Sequence, residues 1–441
     1  MGWFDQGVLT LSPLVTESPE KLDAKEIFSH LPPNRCGAAD RQYMNEVLND
    51  GFSNVKDPAR MVARLETAFA KKFGVGFAIS HNSGTGTMSS CLMGAGIGPG
   101  DEVIVPALTA ASTAFVVVQA GAVPVFGDSH PQTYCIDPED IERKITEHTK
   151  AIIPVSIYGL SPDYDAIMGL AARHHLTMIE DNAQCFLATW KGRLVGTIGR
   201  AASYSFQGSK HMTSGGDGGM VVTDEEDYAR EIRKCCSCGY RTISGRAGDS
   251  VVPRDVRQDW SFERHDRLGY NFRMSAMQAA LGLAQLERLD YLVAARRYIA
   301  WQYERVLREE KCEWLAIPFV PDGCTHSYWT YVCKLDQKLL GVDWREFRKT
   351  FIRLGGDGLY SAWKPVHLEP IFQTMAFYGS RERSPNFDPR YKGRVKSYQQ
   401  GDCPVLEAMQ PYLCQFKTSM PTLEKVNQQV EALQKTVRYF A

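Results

Sequence analysis

The sequence of 441 residues is short of the features that mark several protein classes. Its most apolar stretch, Ala110 to Phe126, is broken by Gln119, Gly121 and Pro124, and is too short to cross the roughly 30 Å of hydrocarbon in a bilayer. The amino terminus, MGWFDQGVLT, has neither the basic start and apolar core of a secretory signal nor, at Gln6, the Ser or Thr of a myristoylation signal. The expectation is a cytoplasmic protein with no membrane partner. Lys and Arg (50) balance Asp and Glu (51), and no basic stripe or tail is present. Nucleic-acid binding rests on phosphate contacts from such groups, so no nucleic-acid partner is expected. A disulfide framework is missing too, since twelve cysteines are scattered through a long chain without a secretory signal. The cluster Cys235, Cys236 and Cys238 contains a C-x-x-C, but no second pair follows at zinc-ribbon spacing. It reads as structural thiols, and no metal is called for. Internal repeats and low-complexity segments are also absent.

What is present is an alternation of strand and helix signals. A helical stretch over residues 60–74 precedes the short apolar strand FAIS (77–80), and HNSGTGTMSSCLMGAG then opens a small-residue helix. DEVIVP and VPVFGD flank a helix over 109–120, and AIIPVSIYG, PDYDAIMGLAARHH and LTMIED continue the rhythm. Val- and Ile-rich strands alternating with helices imply a mostly parallel sheet covered on both faces. Beyond Gly269 the pattern becomes one long helical run over 274–309, leading to a smaller α/β unit that ends in the amphipathic helix LEKVNQQVEALQKTVRYF. The first 60 or so residues carry weak signals and read as an arm or as the start of the smaller domain.

Ligands of such sheets bind at the carboxyl ends of strands, and three informative segments fall there. Gly84 and Thr85 open a helix after a strand and offer backbone N–H groups to an anion, although Ser83 as an ordinary cap explains the same residues. Asp181 closes the strand LTMIED; buried without a partner it would be costly, so it is either a structural cap or faces a cation such as a metal or a protonated ring nitrogen. Lys210 lies in SYSFQGSKHMTSGGDGG. A phosphate-loop reading fails on spacing, because the second glycine is displaced and His211 follows the lysine. An exposed loop lysine and a lysine that forms an imine with an aldehyde remain. Taken together, a phosphate site, an aspartate for a pyridinium nitrogen and an imine-forming lysine match pyridoxal phosphate.

At this point the sequence resembles the fold type I pyridoxal-phosphate sugar aminotransferases of the DegT/StrS group. The resemblance rests on NSGTGTM, GDEVIVPALT, GAVPVFGD, PVSIYG, EDNAQ, SYSFQGSKHMTSG, GGMVVTD and LGYNFRMSAMQAALGLAQL between Arg60 and Leu289, and more loosely on CPVLEAM. It implies an α/β fold like that of aspartate aminotransferase: a large domain over 61–290 around a mostly parallel sheet of the seven-stranded type, and a smaller α/β domain over 291–441, with 1–60 as an arm. It implies that Lys210 holds the cofactor covalently and then moves a proton, that Asp181 keeps the ring nitrogen protonated, that Ala183 packs on the ring and that Gln184 lies near its phenolic oxygen. Gly84, Thr85 and Ser205 would bind the phosphate, and Asn271 would reach it from the neighbouring subunit of a homodimer.

Two departures accompany the resemblance. Where the family places an aromatic residue that stacks on the cofactor, this chain has Ala110, and the loop beyond the lysine reads GGDGG, one residue longer, with Gly216 as the insertion. A related branch carries histidine in place of the lysine and removes a hydroxyl group; Lys210 keeps the register, which points to transamination. The family reaction runs from an amino acid, most often L-glutamate, to a keto or aldehydo sugar, and some members aminate cyclitols with glutamine. Specificity is expected from Tyr240, Arg241, His326, Tyr328, Trp329, Lys364 and His367, of which Arg241, Lys364 and His367 suit an anionic substrate. A regulator that binds the cofactor without turnover is the alternative of a different class, and the intact Lys210, Asp181 and Ser205 argue against it.

Overall fold

Seven short strands form the larger sheet: β1 Phe77–His81, β2 Glu102–Pro106, β3 Val123–Gly127, β4 Thr149–Ile152, β5 Thr177–Asp181, β6 Ala201–Ser205 and β7 Gly219–Thr223. The computed structural model describes residues 11–50, 60–247 and 250–441, so the decapeptide MGWFDQGVLT lies outside the described residues. The strand order is β1-β7-β6-β5-β4-β2-β3. The pairs among β2 to β6 are parallel, whereas β7 runs antiparallel to both β1 and β6. Successive side chains point to opposite faces of a strand, and both faces are covered. Ile79, Val103, Val105 and Val221 join one core with Met88, Leu92, Val116 and Ile232 from helices Gly84–Gly94, Ser112–Gln119 and Glu226–Cys236. Ala78, Met220 and Val222 join another with Leu65, Phe69, Phe73 and Leu283 from helices Arg60–Phe73 and Ala276–Glu287. That double burial is why these strands read as continuous apolar runs rather than as alternation.

A second, antiparallel sheet has the order β8-β9-β11-β10, with β8 Leu315–Ala316, β9 Thr330–Leu335, β10 Leu359–Ser361 and β11 Leu413–Lys417. Tyr331, Cys333 and Phe416 on one face pack with Phe347, Phe351, Val426 and Leu433 of helices Trp344–Arg353 and Leu423–Phe440. Helix Leu289–Glu309 serves both cores, giving Val293 to the first sheet and Tyr303 and Val306 to the second.

The long run over 274–309 is two helices rather than one, broken at Arg288 (φ −107°, ψ 15°). No glycine or proline marks the break. At the break the Arg288 guanidinium is held by Asp40 at 2.8 Å and by the carbonyl of Arg35 at 2.9 Å. Residues 366–409 return to the first sheet, where Val366, Phe372, Tyr398 and Leu406 pack with Phe126, and Asp128 accepts hydrogen bonds from the backbone N–H groups of Val405 and Leu406. Among the described residues no helix is long and apolar enough to cross a membrane, and no group of three or more His, Cys, Asp or Glu is placed to hold a metal ion.

Candidate functional site

Because β1, β5 and β6 run in the same direction, their carboxyl ends lie on one edge of the sheet, and β7 starts there, with Gly219 paired to both His81 and Ser205. The loop 206–218 therefore leaves this edge and returns to it, carrying Lys210. It closes on itself through the N–H of Gly208, which donates to the carbonyl of Gly216 at 2.8 Å. Gly216 has φ +131°, a region where a side chain is strained, so the extra glycine sits at the closure, opposite Gln207 and Gly208.

Lys210 is 9% exposed, and its Nζ lies 4.4 Å from the centre of the Trp329 ring. Among the described residues it has no hydrogen-bond acceptor. Burial lowers its pKa to about 8, with a smaller lowering from Arg296 opposed by the charge of Asp181. Trp329 is fixed in turn by its Nε1, which donates to the carbonyl of Ser209 at 2.9 Å.

Asp181 ends β5 with 3% of its surface exposed. Its Oδ1 accepts from the N–H of Ala183 at 3.1 Å and its Oδ2 from the hydroxyl of Thr113 at 3.0 Å, and Thr113 lies 3.0 Å from the hydroxyl of Thr109. Burial raises its pKa against these two hydrogen bonds and the charge of Lys210. The preceding residue makes the contrast. Glu180 points to the opposite side and accepts from the N–H groups of Gly196, Ile198 and Gly199 and from Asn182, so its carboxylate is saturated. A carboxylate offers about four lone-pair sites. Asp181 uses two.

At the same edge, Ser83 caps helix Gly84–Gly94 by accepting from the N–H of Gly86 at 3.1 Å. The N–H groups of Gly84 and Thr85 have no acceptor among the described residues, which leaves an anion cradle at a helix start. A methyl group on Gly84 would stand 2.7 Å from Cβ of Ser205, so the glycine is what lets these two segments meet. Gln184 is buried, its Oε1 accepting from the N–H of Tyr158 at 2.8 Å. Tyr158 has φ +59°, a conformation rare outside glycine. Asn271 is exposed, with its carbonyl 3.4 Å from Nδ2 of Asn82 beside the helix start.

The residues read as specificity candidates scatter. Trp329 meets Lys210 directly. His326 is buried and stacked on Tyr328 at 3.9 Å; its Nδ1 accepts from the N–H of Tyr328, and burial lowers its pKa to about 3, so it stays neutral. Tyr240 packs against His265, and Arg241 is paired with Glu263 at 3.0 Å in the exposed segment that follows. Lys364 is exposed, whereas His367 is fully buried and bound to Glu407 at 2.8 Å. Ala110 lies in the turn before helix Ser112–Gln119, where its carbonyl accepts from Thr113. Sequence reasoning missed Thr113, Tyr158, Arg35 and Arg296. Only Thr113 left a trace, one helical turn after Thr109 in a loop at a strand end.

Ser209 and Trp329 also line a cavity of about 680 Å³ bounded by Trp344, Arg348, Tyr360 and Trp363.

The family model described as "DegT/DnrJ/EryC1/StrS aminotransferase family" matches residues 34–388. A GDP-perosamine synthase of Caulobacter vibrioides is 37% identical, over 78% of this chain and 86% of its own. An L-glutamine:2-deoxy-scyllo-inosose aminotransferase of Streptomyces lividus is 36% identical, over 69% of this chain and 70% of its own. Among solved structures, an aminotransferase from Psychrobacter cryohalolentis superposes with a TM-score of 0.78 at 28% identity, covering 93% of this chain and 99% of the other.

Proposed function

Since the chain belongs to the DegT/DnrJ/EryC1/StrS aminotransferase family, it is a pyridoxal-phosphate-dependent sugar or cyclitol aminotransferase of fold type I, and from that premise we propose which residues do the work and on what. The residues present fit the cofactor: a free N–H cradle at Gly84 and Thr85 for its phosphate, an undersaturated buried carboxylate at Asp181 for its ring nitrogen, and a buried amine at Lys210. When bound, pyridoxal phosphate supplies an electron sink for the carbon that exchanges its proton.

Lys210 would hold the cofactor through its amine and, as a free amine, would serve as the base that takes up and gives back the proton of the substrate carbon. An amine with a pKa near 8 suits that task at neutral pH, because a usable fraction is uncharged. Asp181 would hold a proton on the ring nitrogen of the bound cofactor. Thr113 and the N–H of Ala183 keep the carboxylate aimed. Ser205 would join Gly84 and Thr85 in binding the phosphate, Ala183 would pack on the ring and Gln184 would serve its phenolic oxygen. Asn271 completes the phosphate site from the partner subunit of a cytoplasmic homodimer, and its exposure supports a reach outward.

The amino donor in this reading is L-glutamate, with L-glutamine as the alternative. The acceptor is 8-oxo-3-deoxy-manno-octulosonate, giving 8-amino-3,8-dideoxy-manno-octulosonate for lipopolysaccharide. Overall likeness to that transaminase supports it, chiefly the insertion at 244–263, the GSKHMTSGGDGG loop and the extended amino-terminal segment. The cavity beside Trp329 supports an acidic acceptor too, since aromatic faces suit a sugar ring and Arg348 suits a carboxylate. A nucleotide-linked keto sugar or a cyclitol is the second reading, favoured by the names of the two relatives.

The observation that carries the catalytic assignment is that Lys210 and Asp181, both buried, stand on one sheet edge, Asp181 at the end of its strand and Lys210 in the loop that leaves and rejoins that edge. Reconstitution with pyridoxal phosphate tests it. Wild type should show a visible absorbance band that L-glutamate converts, and Lys210→Ala should lose the band while still binding the cofactor. A wild-type protein with no band and no conversion would falsify the assignment. The aminated enzyme is then offered 8-oxo-3-deoxy-manno-octulosonate, nucleotide-linked keto sugars and keto cyclitols, and the acceptor that restores the band identifies the substrate.

A further inference from the structure

Four consecutive carbonyls of the Lys210 loop are capped from behind by guanidinium groups. Arg35 donates to the carbonyls of Gly208, Lys210 (3.0 Å) and His211 (3.3 Å). Arg296 donates through Nη2 to the carbonyls of Ser209 and Lys210, both at 3.2 Å, while its Nη1 donates to the carbonyl of Trp329 at 2.7 Å and to Thr418 at 3.1 Å. One guanidinium thus ties the lysine's own backbone to that of the tryptophan whose ring covers the lysine's amine. Arg35 is anchored in turn, its carbonyl accepting from Gln285 at 2.8 Å and from Arg288 at 2.9 Å.

The arrangement is costly. Arg296 is 4% exposed, and among the described residues neither Arg296 nor Arg35 has a carboxylate within ion-pair distance. Buried charges are ordinarily paired, because removing a charge from water costs several kcal/mol. Here the compensation comes from neutral acceptors: the carbonyls of residues 208–211, the carbonyl of Trp329 and the hydroxyl of Thr418. A structural ion pair elsewhere in the chain, Arg233 with Glu66 at 2.6 Å, shows the ordinary solution.

We propose that Arg35 and Arg296 are positioning residues for Lys210: a two-arginine clamp that fixes the carbonyls of residues 208–211 and so couples the aim of the amine to the amino-terminal segment and to Trp329. This rests on the catalytic reading of Lys210. The clamp has an electrostatic side as well. The charged groups facing the amine are Asp181, which favours its protonated form, and Arg296, which disfavours it, with Arg35 behind Arg296; His211 is kept neutral by burial. A base must be uncharged to take a proton, so the clamp serves the same end twice.

The test uses cofactor-free protein and needs no turnover. Lys210 is labelled with an amine-reactive acylating reagent across a pH series, and its modification is quantified by peptide mass spectrometry, with amide hydrogen exchange over 207–212 read in parallel. Arg296→Gln should move the labelling midpoint up by roughly one pH unit, so that labelling at neutral pH slows about tenfold. Arg296→Lys keeps the charge but not the forked geometry; it should restore the midpoint while leaving exchange in the loop faster than in wild type. Arg35→Gln and Arg35→Lys, at a half-buried site, repeat the comparison should Arg296→Gln fail to fold. Labelling midpoints and exchange rates unchanged from wild type in these variants overturn the clamp. Because the labelling needs no cofactor, that result is separate from the wild-type band test, which judges the catalytic reading by itself.

Discussion

Replacing Lys210 by methionine should make the cofactor-free protein more stable at neutral pH, although it abolishes the reaction. The ammonium is buried against Trp329 without a hydrogen-bond acceptor among the described residues, and its pKa falls from 10.5 in the free side chain to about 8. The folded state therefore binds this proton less tightly than the unfolded chain. Stability rises with pH wherever the unfolded state binds more protons, so the penalty is full below pH 8 and is relieved as pH climbs toward 10.5. A depression of this size corresponds to about 3 kcal/mol at pH 7, at about 1.4 kcal/mol for each unit. Part of the gain is offset, because the ammonium also favours the ionised form of Asp181, which burial already disfavours. Methionine matches the aliphatic stem and needs no polar partner. Urea denaturation of cofactor-free wild type and variant at pH 7, 8.5 and 10 measures the difference. The variant should be the more stable by up to about 3 kcal/mol at pH 7, with the gap closing toward pH 10. A variant less stable at pH 7, or a gap independent of pH, refutes the claim that this site holds an uncompensated buried cation.

Thr113→Val should remove a hydrogen bond to an ionised carboxylate, a loss of about 1.5–3 kcal/mol when Asp181 is charged and less when it is neutral. Because burial raises the Asp181 pKa, this group already makes the cofactor-free protein lose stability as pH rises from the carboxylate range; the variant should deepen that fall, and equal denaturation midpoints for the two proteins at pH 8 would refute the role of Thr113. Gly84→Ala places a methyl group 2.7 Å from Cβ of Ser205, so the helix start must shift. We expect a loss of about 1–3 kcal/mol and at least a tenfold weaker affinity for pyridoxal phosphate by absorbance titration; unchanged affinity removes the cradle from the phosphate site. Trp363→Ala, on the wall of the 680 Å³ cavity, should raise KM for the sugar acceptor severalfold while leaving the half-reaction with L-glutamate at its wild-type rate. Equal effects on both half-reactions would show that the cavity does not serve the acceptor.

Much of this was legible before any coordinates. Strands buried on both faces leave a plain signal, and Asp181 could be placed at a strand end because the apolar run LTMIED stops there, whereas Ser205 came only through the family resemblance. Other features were hidden for physical reasons. The antiparallel direction of β7 leaves no trace in GMVVT, since a fully buried strand has the same composition whichever way it runs. In the pair Glu180 and Asp181, only the fold says which carboxylate is saturated, because the N–H groups that fill Glu180 lie 16 to 19 residues away. His367 looked like a substrate cation, yet Glu407 and the packing of residues 366–409 enclose it.

Arg35 and Arg296 were the least legible, and the reason bears on how such sites are recognised. Their partners in the loop are backbone carbonyls, 173 to 176 and 86 to 87 residues distant along the chain, and a carbonyl carries no side-chain identity to pair with an arginine in a sequence. A residue that acts on another through its backbone is therefore silent in motif reasoning and conspicuous in energetics, because it leaves a buried charge without a counter-ion. The same criterion singles out Lys210 itself: burial of its ammonium and the nearby charge of Arg296 outweigh the attraction of Asp181, so the charged form is unfavourable for folding at neutral pH. Arg233 with Glu66 and Arg288 with Asp40 show the paired solution, and Arg297, buried and held by the carbonyls of Leu14 and Glu17, shows another guanidinium met by backbone; what sets the Lys210 loop apart is that its guanidinium groups stand beside an amine that must be uncharged to act as a base.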